Sequence, residues 1–367
     1  MAHVGIDVRL PAYRAGGIST YIKQIVGELE ALPKPYRLTL FHSRKAQKRL
    51  SDRLPFATLY TPCHHRFERS ALSLELLRHR LDLWHSPDFI PPRFGAKRWV
   101  ITVHDLTFLH YPQHLTAESR RYYNAQITGA VAQADHILTV SKATRSDLIS
   151  MLSVPEGKIT VHSEGVDETM RPLPYATYAP TLEALALPTD GYILHVGTFE
   201  PRKNILGLLE AYQSLCERLP SAPPLVLVGR KGWLYEKTQA YLDAMPNRER
   251  VLVRENVSHE QLPSVYNGAT LLILPSFYEG FGLPALEAMA CGRVPLVSNT
   301  SSLPEVVGDV GITFDPHQPA KIADALHHAL THAQWREEHA QLALKRAQAY
   351  TWQAGARTIH DVYMRLL

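Results

Sequence analysis

The sequence predicts an α/β protein made of two doubly wound, Rossmann-like domains that face each other across a cleft. Three observations predict it. Short Val/Ile/Leu runs alternate with amphipathic helical segments along the whole chain. The rhythm breaks once, over residues 168–190, where Pro172, Pro174, Pro180 and Pro188 stand in a stretch without a strong period. The length, 367 residues, suits two domains.

In the first half the strand candidates are His3–Val8, Leu38–His42, Leu83–Ser86, Trp99–His104, Ile137–Val140 and Ile159–His162. In the second half they are Tyr192–Val196, Leu225–Val228, Val251–Arg254, Leu271–Leu274, Val294–Ser298 and Gly311–Phe314. Most are continuous apolar runs, as strands covered on both faces of a parallel sheet require. Helical patterns such as Ile18–Leu32, Ala117–Ala134 and Ile205–Leu219 lie between them, which is the βαβ rhythm twice over. The expected division is a first domain over 1–170, a linker over 171–190, a second domain over 191–350 and a helix over 351–367. In that last segment Ala356, Ile359, Val362, Tyr363 and Leu366 share one face.

Composition narrows the class. With 45% hydrophobic and 20% charged residues the chain can bury a core, so global disorder is excluded. No apolar run approaches the roughly 18 residues of a membrane span. The start, Met-Ala-His-Val-Gly-Ile-Asp, has no basic n-region, so no signal peptide is expected. Cys63, Cys216 and Cys291 are too few and too scattered for a disulfide framework or a paired zinc site. The expectation is a reduced, cytoplasmic protein. Its charge is uneven: residues 1–167 carry 22 Lys and Arg against 15 Asp and Glu, and the remainder 17 against 20. The basic first half suits an anionic partner, or reflects drift in surface composition.

Ligands of doubly wound sheets bind at the carboxyl ends of strands, so the loops there carry the candidate chemistry. Arg14-Ala15-Gly16-Gly17-Ile18-Ser19 follows the first strand. Its paired glycines open a helix whose N-terminus attracts anions, although a plain tight turn has the same composition. His104 ends a strong strand next to Asp105, where a histidine can donate a proton or a hydrogen bond. His64-His65 and His327-His328 read as solvated surface. Arg202 and Lys203, in Gly197-Thr198-Phe199-Glu200-Pro201-Arg202-Lys203-Asn204, stand near a helix start. Cations are unfavourable there unless they meet an anion such as a diphosphate; a solvated pair is the alternative.

The most informative loop runs from Leu274 to Ala288. Gly280 and Gly282 loosen the turn, and Pro284 suits the first helical position. Glu279 and Glu287, eight apart, bracket a helix N-terminus. That suits a nucleotide sugar: one carboxylate for sugar hydroxyls, backbone amides for phosphate, one carboxylate for the ribose. Two ordinary helix-start acids would have the same spacing.

Here the chain resembles the retaining glycosyltransferases of family 4, which have the GT-B fold. Glu279 to Glu287 matches their E-x7-E motif. The likeness covers nearly the whole chain, through Gly16-Gly17, His104-Asp105, Glu164-Gly165-Val166-Asp167 and Glu200-Pro201-Arg202-Lys203-Asn204. The resemblance implies that Glu279 binds donor-sugar hydroxyls and Glu287 the ribose. It implies that Arg202 and Lys203 neutralise the diphosphate, and that Gly280, Phe281, Gly282 and Leu283 line the phosphate and sugar. Gly16 and Gly17 would close over the diphosphate, His104 would contact the sugar, and Arg230, Asn256 and Val257 would lie at the base. The helix over 351–367 would cross back to the first domain. Thr198 departs from the family, many of whose members have Arg there. The implied activity is transfer from a nucleoside diphosphate sugar, leaning to GDP-mannose, to a saccharide or lipid-linked acceptor in cell-surface polysaccharide or glycolipid assembly.

Other readings are weaker. Gly280-Phe281-Gly282-Leu283-Pro284-Ala285 fits a dinucleotide fingerprint, with Glu305 about 20 residues on, but follows the fourth strand of its half rather than the first. A non-catalytic sugar-binding protein would need no basic pair. A GT-B epimerase or phosphorylase is less consistent with the E-x7-E context. No D-x-D or H-E-x-x-H occurs, so no metal and no further cofactor is expected. Nucleic acid is not an expected partner.

Two segments bear on the acceptor. Residues 44–53 carry Arg44, Lys45, Lys48, Arg49 and Arg53. Over 66–83, Phe67, Ala71, Leu74, Leu77 and Leu81 fall at helical spacing, with Arg66, Arg69, Arg78 and Arg80 nearby. The favoured reading turns this stripe toward its own sheet. The basic excess suggests a peripheral, salt-sensitive contact with an anionic membrane surface, at its inner face, without insertion.

Overall fold

The computed structural model describes every residue but Arg14, Ala15 and Thr116, and every side chain but theirs and those of Glu118, Ser119 and Arg121. The chain forms two compact units. One comprises Met1–His110, Ala117–Gly165 and Thr351–Leu367; the other comprises Tyr111–Thr116 and Val166–Tyr350.

The first unit holds β1 (His3–Asp7), β2 (Arg37–Ser43), β3 (Phe56–Leu59), β4 (Leu81–Ser86), β5 (Ala96–Val103), β6 (His136–Thr139) and β7 (Ile159–Val161). They form one parallel sheet in the order β3-β2-β1-β4-β5-β6-β7. The second unit holds β8 (Ile193–Val196), β9 (Leu225–Val228), β10 (Val251–Arg254), β11 (Leu271–Leu274), β12 (Val294–Ser298) and β13 (Ile312–Phe314), ordered β10-β9-β8-β11-β12-β13 and again parallel. The strand order reverses between β1 and β4 and between β8 and β11, so the loops after these strands open at switch points.

The continuous apolar runs became central strands because helices cover both faces: the residues of β9 and β11 are all buried. The strand the sequence reading lacks is β3. It lies at the sheet edge and only Leu59 is fully buried, so Phe-Ala-Thr-Leu carries no apolar run to announce it.

The expected linker over 171–190 is corrected. Tyr175–Ala184 is a helix with Pro180 inside it, packed within the second unit against the helix Leu262–Gly268. Its inward face is two residues wide, Ala179 and Leu182, too little to impose a period on the sequence. The Arg254 guanidinium donates to the carbonyls of Leu185 at 2.6 Å and Ala186 at 2.5 Å, anchoring the end of this helix to β10. The chain changes unit between Gly165 and Val166.

The C-terminal helix, Trp352–Leu366, belongs to the first unit. Thr351 caps it, accepting from the Ala354 amide, and Trp352, Ala356, Ile359, Val362 and Tyr363 are buried. It comes so close to Gly165 that a Cβ there would sit 2.1 Å from the Trp352 nitrogen.

The stripe over 66–83 is also corrected. The helix spans Glu68–Leu76, Arg80 turns left-handed, and Leu81 already belongs to β4. Leu72 and Leu76 pack with Phe41, Trp84 and Trp99 in the core. Phe67, Leu74 and Leu77 are exposed. The core face is thus offset from the longer stripe. Among the described residues no helix is long and apolar enough to cross a membrane.

Candidate active site

Two loops meet at the β8/β11 switch point. After β8 the chain makes a tight turn over Pro201–Lys203, and Asn204 takes left-handed φ before the helix Ile205–Arg218. The Asn204 side-chain amide donates to the Pro316 carbonyl at 2.8 Å. After β11 the loop ends at Gly282, whose φ of 101° is one that L side chains rarely adopt; a Cβ there would also come 2.7 Å from Leu303. The helix Leu283–Ala290 follows, with Pro284 at its second position rather than its first.

These loops gather Arg202, Lys203 and Glu279. Lys203 Nζ is 2.5 Å from Glu279 Oε1, and Arg202 Nη1 is 2.8 Å from Glu279 Oε2. Ser276 Oγ donates to Glu279 Oε1 at 2.6 Å. Arg202 Nε also pairs with Glu200 at 2.5 Å. Burial alone would raise the Glu279 pKa, but the two cations overcome it and bring it down to about 2. The loop is braced: Ser301 Oγ accepts from the Glu279 amide at 2.9 Å, and Ser302 Oγ donates to the Glu279 and Phe281 carbonyls. The anion that the basic pair requires is therefore supplied within the protein, by Glu279 and Glu200. Lys203 is buried, so the solvated-pair alternative does not describe it.

The other second-unit residues take the same edge. Glu287 accepts from the Tyr266 hydroxyl at 2.5 Å. Gly280 precedes Phe281, whose ring meets Tyr350 edge-on, and Leu283 starts the helix. Arg230 follows β9, while Asn256 and Val257 follow β10; Arg230 and Asn256 are exposed. Thr198 is exposed and carries no charge, so the guanidinium beside Glu279 is that of Arg202.

In the first unit, Gly16 has φ 152° and Gly17 starts the helix Gly17–Ala31, and no atom of the described residues lies within 4 Å of a Cβ at either. Arg14 and Ala15 of that loop lie outside the described residues. His104 follows β5. Its Nε2 lies 2.9 Å from the Pro87 carbonyl, and its Nδ1 3.7 Å from Glu164 Oε1.

Sequence reasoning missed three features. His195, inside β8, is fully buried; its Nδ1 donates to the Ile273 carbonyl at 3.0 Å, while its Nε2 is enclosed without a partner among the described residues. Burial pulls its pKa to about 4. A histidine within an apolar strand was the available signal. Glu200, which pairs with Arg202, carries no sequence signal of its own. At the other switch point Arg9 is buried between Asp7, at 2.6 Å, and Glu68, at 2.7 Å. His64, expected to be solvated, instead pairs with Asp88 at 2.9 Å beside them.

Two doubly wound parallel-sheet units are the architecture of the GT-B fold. Residues 15–169 match the profile of Glycosyltransferase Family 4, and residues 183–346 that of Glycosyl transferases group 1. The chain is 35% identical over 271 residues to an O-antigen chain mannosyltransferase B of Escherichia coli, covering 74% of this chain and 71% of that one. It is 30% identical over 274 residues to the serotype-specific mannosyltransferase WbdA of Escherichia coli, covering 73% of this chain and 33% of that longer protein. A sucrose-phosphate synthase of Thermosynechococcus elongatus has the same fold, with TM-score 0.81, 22% identity and coverage of 100% and 99%. So has HepE of Anabaena, solved with UDP-glucose, at TM-score 0.78, 15% identity and complete coverage of both chains. The chain belongs to glycosyltransferase family 4.

Proposed function

We propose that this glycosyltransferase moves a sugar from a nucleoside diphosphate donor to a hydroxyl of a saccharide or lipid-linked acceptor, with retention of anomeric configuration and without a metal. The observation that carries it is the gathering of Arg202 and Lys203 on Glu279 at the β8/β11 switch point. Donor entry would let the cations turn from the carboxylate to the diphosphate. Glu279 would then accept from sugar hydroxyls and offset positive charge at the anomeric carbon. The bond from that carbon to the diphosphate breaks, and the acceptor oxygen bonds to it on the same face. The acceptor proton passes to the departing diphosphate. Arg230, Asn256 and Val257 would serve the base, Glu287 the ribose, and His104 the transferred sugar.

The relatives named for mannose transfer support GDP-mannose as the first donor to test and surface-polysaccharide assembly as the setting. The experiment is donor hydrolysis and transfer across a panel of nucleotide sugars, without metal and with chelator, followed by NMR of the anomeric product. Mannose transfer from GDP-mannose with retention is the expected result. Inversion overturns the mechanism, and preference for a UDP-sugar overturns the donor.

The basic first unit and its exposed Phe67, Leu74 and Leu77 support a peripheral contact with an anionic membrane surface at the cytoplasmic face.

A further inference from the structure

His104 is enclosed by groups that favour its charged form. Nε2 lies 2.9 Å from the Pro87 carbonyl, which only accepts, so Nε2 carries a proton. Nδ1 faces the buried Glu164 carboxylate at 3.7 Å. That separation exceeds a hydrogen bond, so Glu164 acts here as a nearby charge. Asp88, after β4, adds to the negative field.

The groups from the other elements around it do not oppose this. Tyr21, on the helix Gly17–Ala31, meets the imidazole edge-on with centroids 4.7 Å apart. Burial keeps Tyr21 protonated, and so uncharged. His85 on β4 and His162 after β7 stay neutral, pulled by burial to about 3 and about 4. They are tied into a separate chain: Tyr363 to His85 at 2.5 Å, His85 to Thr102 at 2.9 Å, Thr102 to Tyr21 at 3.3 Å and Tyr21 to His162 at 3.2 Å. Glu164 and Asp88 are the carboxylates turned on His104; His64 pairs with Asp88 at 2.9 Å, and none of the other groups named competes with Glu164 as a cation.

We propose that Glu164 is a positioning residue that holds His104 as an imidazolium. The Nε2 proton is committed to the Pro87 carbonyl, and the Nδ1 proton, directed toward Glu164 but too far from it to be hydrogen-bonded, is left to donate to a donor oxygen brought within its reach. In that form His104 cannot act as a general base; it is a positive charge and a hydrogen-bond donor. Burial works against that state and Glu164 overcomes it. The inference rests on the transferase reading above for its consequence, but not for its geometry.

The test is NMR titration of the histidine ring carbons in the full chain, with His104→Gln used to assign the His104 signal. In the wild type His104 should titrate above the ordinary 6.5. In Glu164→Gln it should lose proton affinity tenfold or more, as removal of an adjacent opposite charge does. Glu164→Asp should restore part of the loss. A merely structural Glu164 would lower thermal stability without moving that titration. An unchanged His104 titration in Glu164→Gln overturns the proposal, as does a wild-type value at or below 6.5. In transfer assays the alkaline limb of the pH–rate profile should shift to lower pH in Glu164→Gln. If the titration behaves as stated while no nucleotide sugar supports transfer, the functional reading fails and the positioning role stands.

Discussion

Lys203 Nζ and Glu279 Oε1 lie 2.5 Å apart, both buried, at the end of two neighbouring parallel strands. They reach each other because β8 and β11 pair at the switch point, although 76 residues separate them in sequence. A cation that would otherwise strain a helix start is thereby neutralised before any ligand arrives. The same contact makes Glu279 a structural residue, beside the chemical role proposed for it. It accepts from Lys203, Arg202 and Ser276 together, so its removal affects more than the sugar binding proposed for it.

Glu279→Gln should lower turnover roughly 10²-fold or more, the scale of losing one electrostatic stabiliser. A purely loop-borne role would leave stability intact. The buried pair argues otherwise: two cations lose their shared countercharge, and breaking a buried ion pair costs about 3–5 kcal/mol. Chemical denaturation should therefore show a destabilised variant. The double change Glu279→Gln with Lys203→Met should recover stability and leave turnover low. Near-wild-type turnover in Glu279→Gln would remove the residue from the mechanism.

Arg202→Ala and Lys203→Ala should both raise donor KM and lower kcat if, as proposed, each charge serves the diphosphate in binding and in departure. Lys203→Ala should have the larger effect on stability, because Lys203 is buried and Arg202 is partly exposed. Initial-rate kinetics and thermal shift separate the two effects. An unchanged donor KM in both variants would break the link between this pair and the diphosphate.

Apolar runs and their order were enough to read two parallel sheets, because buried strands admit little but Val, Ile and Leu. The basic pair was readable because cations at a helix start are unfavourable without an anion, whereas the E-x7-E spacing, ordinary for helix-start acids, was readable only through the family resemblance. Their union on one carboxylate was not readable, since it depends on which strands pair. Phe56–Leu59 escaped because an edge strand needs no apolar run, and Tyr175–Ala184 because two buried residues set no period. The face of Glu68–Leu76 was misjudged because Leu74 and Leu77 look like core residues in sequence yet stand exposed.

Four buried histidines set an acid limit on the fold. Burial brings His85 to about 3, and His136, His162 and His195 to about 4. Unfolded histidines titrate near 6.5, so below that pH the unfolded chain binds more protons and stability falls. Above 6.5 both states are neutral and the full stability is present. The loss should begin near pH 6.5 and continue toward pH 4, each unit of displacement being worth about 1.4 kcal/mol per residue. Glu279 acts in a separate window: its contribution is complete above about 4.5 and is lost as pH falls toward 2. Urea denaturation at pH 7.5, 6.5, 5.5 and 4.5 checks this. Equal stability at pH 7.5 and 5.5 would contradict it.

The last prediction concerns the exposed face of the first unit. Phe67, Leu74 and Leu77 are exposed on or beside the helix Glu68–Leu76. The Arg66 guanidinium lies over the Phe67 ring, 4.5 Å from its centroid, and Arg78 and Arg80 are exposed close by in sequence. Arg44, Lys45, Lys48, Arg49 and Arg53 add further exposed charge. Apolar side chains flanked by arginines suit the interface of an anionic bilayer, where each basic residue near the surface contributes about 1 kcal/mol. Attraction of this kind weakens with salt, because the screening length is about 10 Å at 0.1 M and shorter above it. The protein should therefore co-sediment with anionic vesicles at low salt, and far less with neutral ones. High salt should release it. Arg78→Glu with Arg80→Glu should abolish the salt-sensitive binding, and Leu74→Glu should weaken it without altering the core, since Leu74 is exposed. Equal and negligible binding to both vesicle types at low salt would leave a soluble acceptor as the better account.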